Sequence, residues 1–319
     1  MHRLLRLGAL LCAALLLPAA QAAYPDKPIR LIVSFPPGSG TDSNARYVAQ
    51  QMEARLGVPV SVENRPGGNS FIAAQAAAAA EPDGYTLLLA SNSPVATNAA
   101  MFKQLPYDPV RDFAPVARLG FGAMALAVRA DSPYRTVSDL VAAARREPGK
   151  LNYGSGSASY QIATELFLSM AGIKATHVPY KGAAPALADL AGGQVDLVFA
   201  DYGAAIPFVQ AGKMRLLAVT GHERLRSAPD VPTLQESGFD GYYMVNWTAA
   251  FAPAHTPAAV IDKLSRTLVG IYQTADAEAF LARTSWEAFP AGPGELGEFQ
   301  RAEIRKWAAA AERAGIPRQ

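Results

Sequence analysis

Apolar and polar positions alternate from Ile29 to Phe35: Ile29, Leu31, Val33 and Phe35 fall on one face, and Arg30, Ile32 and Ser34 on the other. A period of two with β-branched residues predicts a strand. From Ala45 the period changes, with Ala45, Val48, Ala49, Met52 and Leu56 at helical spacing and Gly57 after them. That pattern predicts a helix closed by a glycine. Phe35-Pro36-Pro37-Gly38-Ser39-Gly40-Thr41-Asp42 is therefore a strand-to-helix turn, with Thr41 or Asp42 expected to cap the helix. The first N–H groups of a helix lack intrahelical partners and sit at the positive end of its dipole, so a small acid can dock there if no side chain blocks it. Gly38 and Gly40 leave that space open. The alternative is a plain turn whose glycines only satisfy the backbone. Neither a third glycine in dinucleotide register nor a Gly-Lys-Ser/Thr ending follows, which excludes both phosphate-loop fingerprints.

The same device recurs. Strand Val58–Val62 completes a strand-helix-strand unit, and Asn64-Arg65-Pro66-Gly67-Gly68-Asn69-Ser70 turns into an alanine-rich helix ending near Glu81. Strand Tyr85–Ala90 ends in the polar turn Ser91-Asn92-Ser93-Pro94. Strands at Val116–Leu119 and Met124–Val128 flank Gly120 and Gly122, and a crossing between domains is expected near Gly122. Thr136-Val137-Ser138-Asp139 has capping-box character before helix Leu140–Arg146. Strand Leu151–Tyr153 then opens into Gly154-Ser155-Gly156-Ser157-Ala158-Ser159 and a helix carrying Ile162, Leu166, Phe167 and Met170 on one face. Strand Thr176–Tyr180, turn Lys181-Gly182, helix Ala184–Ala191, strand Val195–Ala200, helix Ala204–Ala211 and strand Arg215–Thr220 complete a second α/β block. The run Tyr242–Phe251 carries the chain back. Thr256-Pro257 reads as a cap with proline at the first helical position, and helices from there to about Ala314 are expected to pack on the first domain. The expected division is 23–122 with 245–319 as one domain and 123–244 as the other.

Composition narrows the class. Met1 to about Ala22 has His2, Arg3 and Arg6, an apolar run from Leu7 to Leu17, and Ala20-Gln21-Ala22 as a cleavage site, which reads as an export signal too short to anchor in a bilayer. The only cysteine, Cys12, lies within it, so the exported chain relies on its core and not on disulfides. Acylation of Cys12 is the alternative, disfavoured by the bulky Leu11. The chain has 29 basic and 27 acidic residues, and removing Arg3 and Arg6 leaves 27 of each. A balance near zero gives no support to nucleic-acid or membrane-surface binding. His177, His222 and His255 show no metal-ligand spacing, and no Gly-x-Ser-x-Gly elbow occurs. The chain therefore reads as a non-enzyme without metal or cofactor.

Pro36-Pro37-Gly38 to Asp42, Glu63-Asn64-Arg65-Pro66-Gly67-Gly68, Asp83-Gly84-Tyr85-Thr86-Leu87, His177-Val178-Pro179-Tyr180-Lys181-Gly182, Asp189-Leu190 to Gly193-Gln194-Val195-Asp196 and Pro229-Asp230-Val231-Pro232-Thr233 run through the chain in that order. As a set they resemble the Bug (TctC-type) receptors, periplasmic binding components of tripartite tricarboxylate transporters. The resemblance implies a type II periplasmic-binding-protein fold: two α/β domains joined by two crossing strands around a cleft that holds a small organic acid. It implies that turns from both domains grip a ligand carboxylate through backbone groups and water. The matching positions are Gly38, Ser39, Gly40, Thr41 and Asp42; Ser91, Asn92 and Ser93; Gly154, Ser155, Gly156, Ser157 and Ser159; and Asp201. Ser39 departs from a frequent double glycine and Gln161 from a frequent histidine, so the ligand cannot be taken from any relative.

Other candidates carry two readings each. Lys181 either holds an anion or is a solvated turn residue. Asp201 either meets a ligand amino group or caps the helix after it, and Asp42 poses the same choice. Phe35 and Trp247 either cover a ligand or pack. No arginine lies in the four turns, which favours a mono- or dicarboxylate, an amino acid or a related amide over a tricarboxylate. The expected protein is a periplasmic monomer closing on a small anionic metabolite, with membrane transporter subunits, or a sensor kinase, as partner.

Overall fold

A computed structural model describes residues 24–319, so the export signal expected at 1–22 lies outside the described residues. The chain order is β1 (Ile29–Val33), α1 (Gly40–Leu56), β2 (Val60–Asn64), α2 (Phe71–Ala78), β3 (Thr86–Ser91), α3 (Asn98–Met101), β4 (Phe113–Arg129), α4 (Val137–Arg146), β5 (Asn152–Ser155), α5 (Ala158–Ala171), β6 (Thr176–Pro179) and α6 (Ala183–Ala191). It continues with β7 (Leu197–Asp201), α7 (Tyr202–Gln210), β8 (Met214–Val219), β9 (Val245–Pro253), α8 (Ala258–Tyr272), α9 (Ala275–Thr284), β10 (Trp286–Ala291) and α10 (Pro293–Arg313).

The strands form one curled sheet in the order β2-β1-β3-β9-β4-β7-β5-β6, with β8 and β10 also paired to β4. β1, β2 and β3 run parallel, as do β5, β6 and β7. Each parallel set therefore points its C-terminal ends, and the helix N-termini that follow, at one rim. β3 and β1 are wholly or nearly wholly buried, as strands covered by helices on both faces must be.

β4 is the element that both halves share. Phe113 to Ala123 pair with β9, and Met124 to Arg129 pair with β7 and β8. The two short strands expected around Gly120 and Gly122 are one unbroken strand of 17 residues. Those glycines make room instead of breaking the strand. A Cβ at Gly120 would lie 2.6 Å from the Glu287 carbonyl oxygen, and one at Gly122 would lie 2.7 Å from the Trp286 indole. Both neighbours belong to β10, which the sequence reading had placed within helices. Pro115 sits at a register shift in the β4–β9 ladder, where its missing N–H costs no pairing. The second crossing is the segment that enters β9, where Val245 stands opposite Ala123.

The capping box expected at Thr136 is present, and it starts α4 at Val137. Thr256 instead donates its hydroxyl to the Pro253 carbonyl, and Pro257 itself precedes the first turn of α8. α10 departs from the expectation that the C-terminal helices serve one domain. It packs on β4 and also on α5, where Ser169 Oγ donates to the Arg313 carbonyl at 3.1 Å. Among the described residues no helix is long and apolar enough to cross a membrane.

Candidate functional site

The turn after β1 is held by its own side chains. α1 starts at Gly40, earlier than expected, so its cap is Ser39, whose Oγ accepts from Asp42 N at 3.1 Å. Neither Thr41 nor Asp42 takes that role. The Asp42 carboxylate is filled by other donors: Gly38 N–H at 2.9 Å, Arg46 Nε at 3.0 Å and Asn64 Nδ2 at 2.8 Å. Burial by itself would raise this acid, but those donors outweigh it and hold it below the usual carboxylate value. Asn64 also reaches the Phe35 carbonyl at 2.9 Å. Asp42 and Asn64 therefore fix the turn that presents Ser34 and Phe35.

The opposing turn follows β5. Ser157 caps α5, its Oγ accepting from Tyr160 N and lying 2.9 Å from Ser159 Oγ. Ser155 points elsewhere, to His177 Nε2 at 2.6 Å, and Gly154 packs on the Tyr180 ring. Gly156 is where the backbone crosses closest: a Cβ there would lie 2.1 Å from the Gly182 carbonyl carbon. Gln161 lies one helical turn further on, half-buried.

Between these turns lies a cavity of about 250 Å³. The first domain supplies Ser34, Phe35, Gly67, Asn69 and Ser70. Gly156, Ser157, Ala158, Pro179, Tyr180 and Lys181 come from the second. Of the residues singled out in the sequence, Phe35, Gly156, Ser157 and Lys181 meet here. Asn69 and Ser70 were missed as site residues. Both have positive φ, 51° and 73°, and together they set the N-terminus of α2 at the cavity. Asn98 Nδ2 supports that turn by donating to the Asn69 carbonyl at 2.8 Å. The only sequence signal was the Gly-Gly-Asn-Ser run before an alanine-rich helix.

Two helix N-termini, of α2 and α5, thus open on one small cavity whose lining contains a lysine and no acid. Ser34, only 2% exposed, lines it with a hydroxyl that has no partner in the described structure. A buried hydroxyl without a partner costs free energy, so its presence here is an independent pointer to a polar ligand. The arrangement can hold an anion by backbone N–H groups, hydroxyls and one ammonium.

The remaining candidates form a deeper group where the domains touch. Ser93 Oγ lies 3.4 Å from Ser159 Oγ across the domains. Ser91 Oγ accepts from Ser93 N at 3.3 Å, and Asn92 is fully buried with both side-chain polar atoms unpartnered. Asp201, at the end of β7, does not cap α7 through its side chain. It accepts from Asn246 Nδ2 at 2.6 Å, on the returning strand, and also hydrogen bonds to Tyr160. Gly40 of the first domain lies against it, since a Cβ there would sit 2.7 Å from Asp201 Oδ2. Burial pushes the Asp201 carboxyl up to about 6, although the bonds from Asn246 and Tyr160 oppose the shift. Trp247 is fully buried, its indole donating to Glu303 at 2.9 Å, and so packs away from the cavity.

Two α/β domains sharing one long strand, with helix N-termini facing each other across a cleft, define a receptor of the periplasmic-binding-protein type. Residues 44–316 match the family model described as the tripartite tricarboxylate transporter family receptor, TctC, and the chain belongs to that family. Its structure is similar to that of Rpa4515 from R. palustris, solved with adipate: TM-score 0.90 and 33% identity, over 93% of this chain and 100% of that one. It is also similar to the periplasmic binding protein BugD, with TM-score 0.88 and 29% identity over 93% and 100% of the two chains. MatC from Rhodopseudomonas palustris, with bound malate, gives 0.85 and 29% over 90% and 99%.

Proposed function

We propose that this protein is exported to the periplasm, its signal removed near Ala22, and that as a monomer it closes around a small mono- or dicarboxylate. It then presents the loaded form to the membrane subunits of a tripartite transporter, and it performs no catalysis. The observation that carries this reading is the convergence of the α2 and α5 N-termini on one acid-free cavity with Lys181 and the unpartnered Ser34 hydroxyl. Charge-assisted N–H to carboxylate bonds out of water contribute roughly 1.5–3 kcal/mol each, so a few of them support micromolar affinity after the ordering cost. A volume of about 250 Å³ suits a small metabolite; drug-sized ligands occupy about 300–1,000 Å³. In this reading one carboxylate lies between the two helix N-termini and the other end of a diacid meets Lys181. Adipate on Rpa4515 and malate on MatC, both dicarboxylates, support that class.

Thermal unfolding of the chain from Ala23 onward, against short mono- and dicarboxylates, amino acids and neutral amides, tests this. At one hundred times its dissociation constant a ligand adds about 2.7 kcal/mol, a shift of a few degrees. A dicarboxylate is expected to raise the midpoint most, and Lys181→Ala is expected to narrow its lead over the matching monocarboxylate. If no acid in the panel shifts the midpoint at millimolar concentration, the carboxylate reading is wrong.

A further inference from the structure

A second cavity, of about 600 Å³, lies between helix α7 and strand β8 of the second domain and the end of α9 in the first. It shares no lining residue with the cleft cavity. Its walls are largely apolar: Tyr202, Ile206 and Val209 follow one face of α7, and Met214 and Leu216 stand two apart on β8. No acid lines it, but two arginines do. Arg215 donates to the carbonyls of Tyr134 at 3.1 Å and Ala130 at 2.9 Å. Arg283 stands 5.8 Å from the Phe280 ring. Among the described residues neither arginine forms an ion pair. An apolar chamber with uncompensated positive charge in its lining selects a ligand that is apolar for most of its length and anionic at one end.

The geometry points to a second ligand site, which takes an amphipathic monoanion: a carboxylate carrying an aliphatic or aromatic body, its charge on Arg283 and Arg215. The walls come from both domains, and Ser227 Oγ and Ser285 Oγ, both in the lining, hydrogen bond across them. α7 packs on α9 at the same place. An occupant therefore bears on the closure equilibrium that the cleft ligand also shifts, and the coupling between the two sites is reciprocal.

The test is calorimetric titration of the chain from Ala23 onward with decanoate, below its micelle concentration, and in parallel with decyltrimethylammonium, which has the same tail and the opposite charge. Decanoate is expected to bind at a single site and the cation not to bind. Arg283→Glu, at an exposed side chain, and Ile206→Trp, which fills the chamber, should each weaken decanoate roughly tenfold or more. Gly156→Ala, in the cleft, should still bind decanoate at a single site, because it leaves the lining of the second cavity intact. The proposal is overturned if decanoate gives no binding up to its micelle concentration, if the cation binds equally well, or if Arg283→Glu binds undiminished. Loss of decanoate binding in Gly156→Ala overturns it too, by placing the fatty acid in the cleft. The diacid panel run on Arg283→Glu reads the cleft separately, so failure at one site is distinguishable from failure at the other.

Discussion

Gly156→Ala is expected to abolish the ligand-induced rise in unfolding midpoint while leaving a folded protein. The added methyl would sit 2.1 Å from the Gly182 carbonyl carbon, 2.4 Å from its oxygen and 2.5 Å from Ala183 N. These are backbone atoms, so no side chain can swing away and one of the two turns must move. One turn starts α5 and the other starts α6, and Gly182 in turn lies against Pro36 of the first domain. Displacing either by the needed ångström misaligns the α5 N–H groups and the domain contact together. Loss of one or two charge-assisted bonds amounts to about 2–4 kcal/mol, or roughly thirtyfold to several hundredfold in affinity. Overpacking costs about 1–3 kcal/mol of stability, visible as a lowered midpoint without ligand. Gly192→Ala is the control, because its methyl meets nothing nearer than 3.5 Å and its backbone is ordinary helix. A Gly156→Ala protein that binds diacids as tightly as the parent would remove the β5–α5 turn from the site.

Asp201→Asn is expected to raise stability near neutral pH and to erase part of its pH dependence. The folded carboxyl titrates at about 6, above the ordinary 3.8, because burial disfavours its charge. A group raised on folding stabilises fully below its unfolded value and loses that contribution as pH climbs through the folded one. The window therefore runs from about 4 to about 6. Two pH units correspond to about 3 kcal/mol, and Asp201 is only 5% exposed, so solvent discounts little of it. Asparagine keeps an oxygen to accept from Asn246 and removes the charge. Its midpoint should exceed the parent's at pH 7 by several degrees, and the gap should close toward pH 4. Parallel melts at half-unit steps from pH 4 to 8 decide it: a gap constant across the window would mean Asp201 is ionised at ordinary pH.

The alternation of strands, glycine- and serine-rich turns and helices was legible because each turn sits at a strand's C-terminal end, which is where a parallel sheet places its ligand. The turns at residues 35 to 42 and 154 to 159 were recognised that way, although only Phe35 of the first and Gly156 and Ser157 among the candidates of the second line the cavity, and Gly38 to Asp42 do not. What escaped depends on partners distant in sequence. Gly120 and Gly122 read as strand breakers until Trp286 and Glu287 are seen packed on them. β10 itself is short, contains Pro290, and exists through its pairing to β4. For Asp201 the sequence offered a ligand contact or a helix cap, because a helix follows it, yet its partner Asn246 lies 45 residues away. Asn69 and Ser70 were hidden for a different reason: positive φ at non-glycine residues is imposed by the fold and has no dependable sequence mark. Ser39 was missed as the cap because the helix starts earlier than its apolar periodicity.

The three tryptophans of the chain, Trp247, Trp286 and Trp307, all sit around the domain crossing. Trp247 and Trp307 both donate to one oxygen of Glu303 at 2.9 Å, and Trp286 lies on Gly122. Light that excites indole selectively is therefore emitted from the region of the domain crossing and from nowhere else in the molecule. The molecule carries its own optical gauge, and in the chain from Ala23 onward, which lacks the single cysteine Cys12, a thiol placed on either lobe would be the only one available for a second, distance-resolving dye.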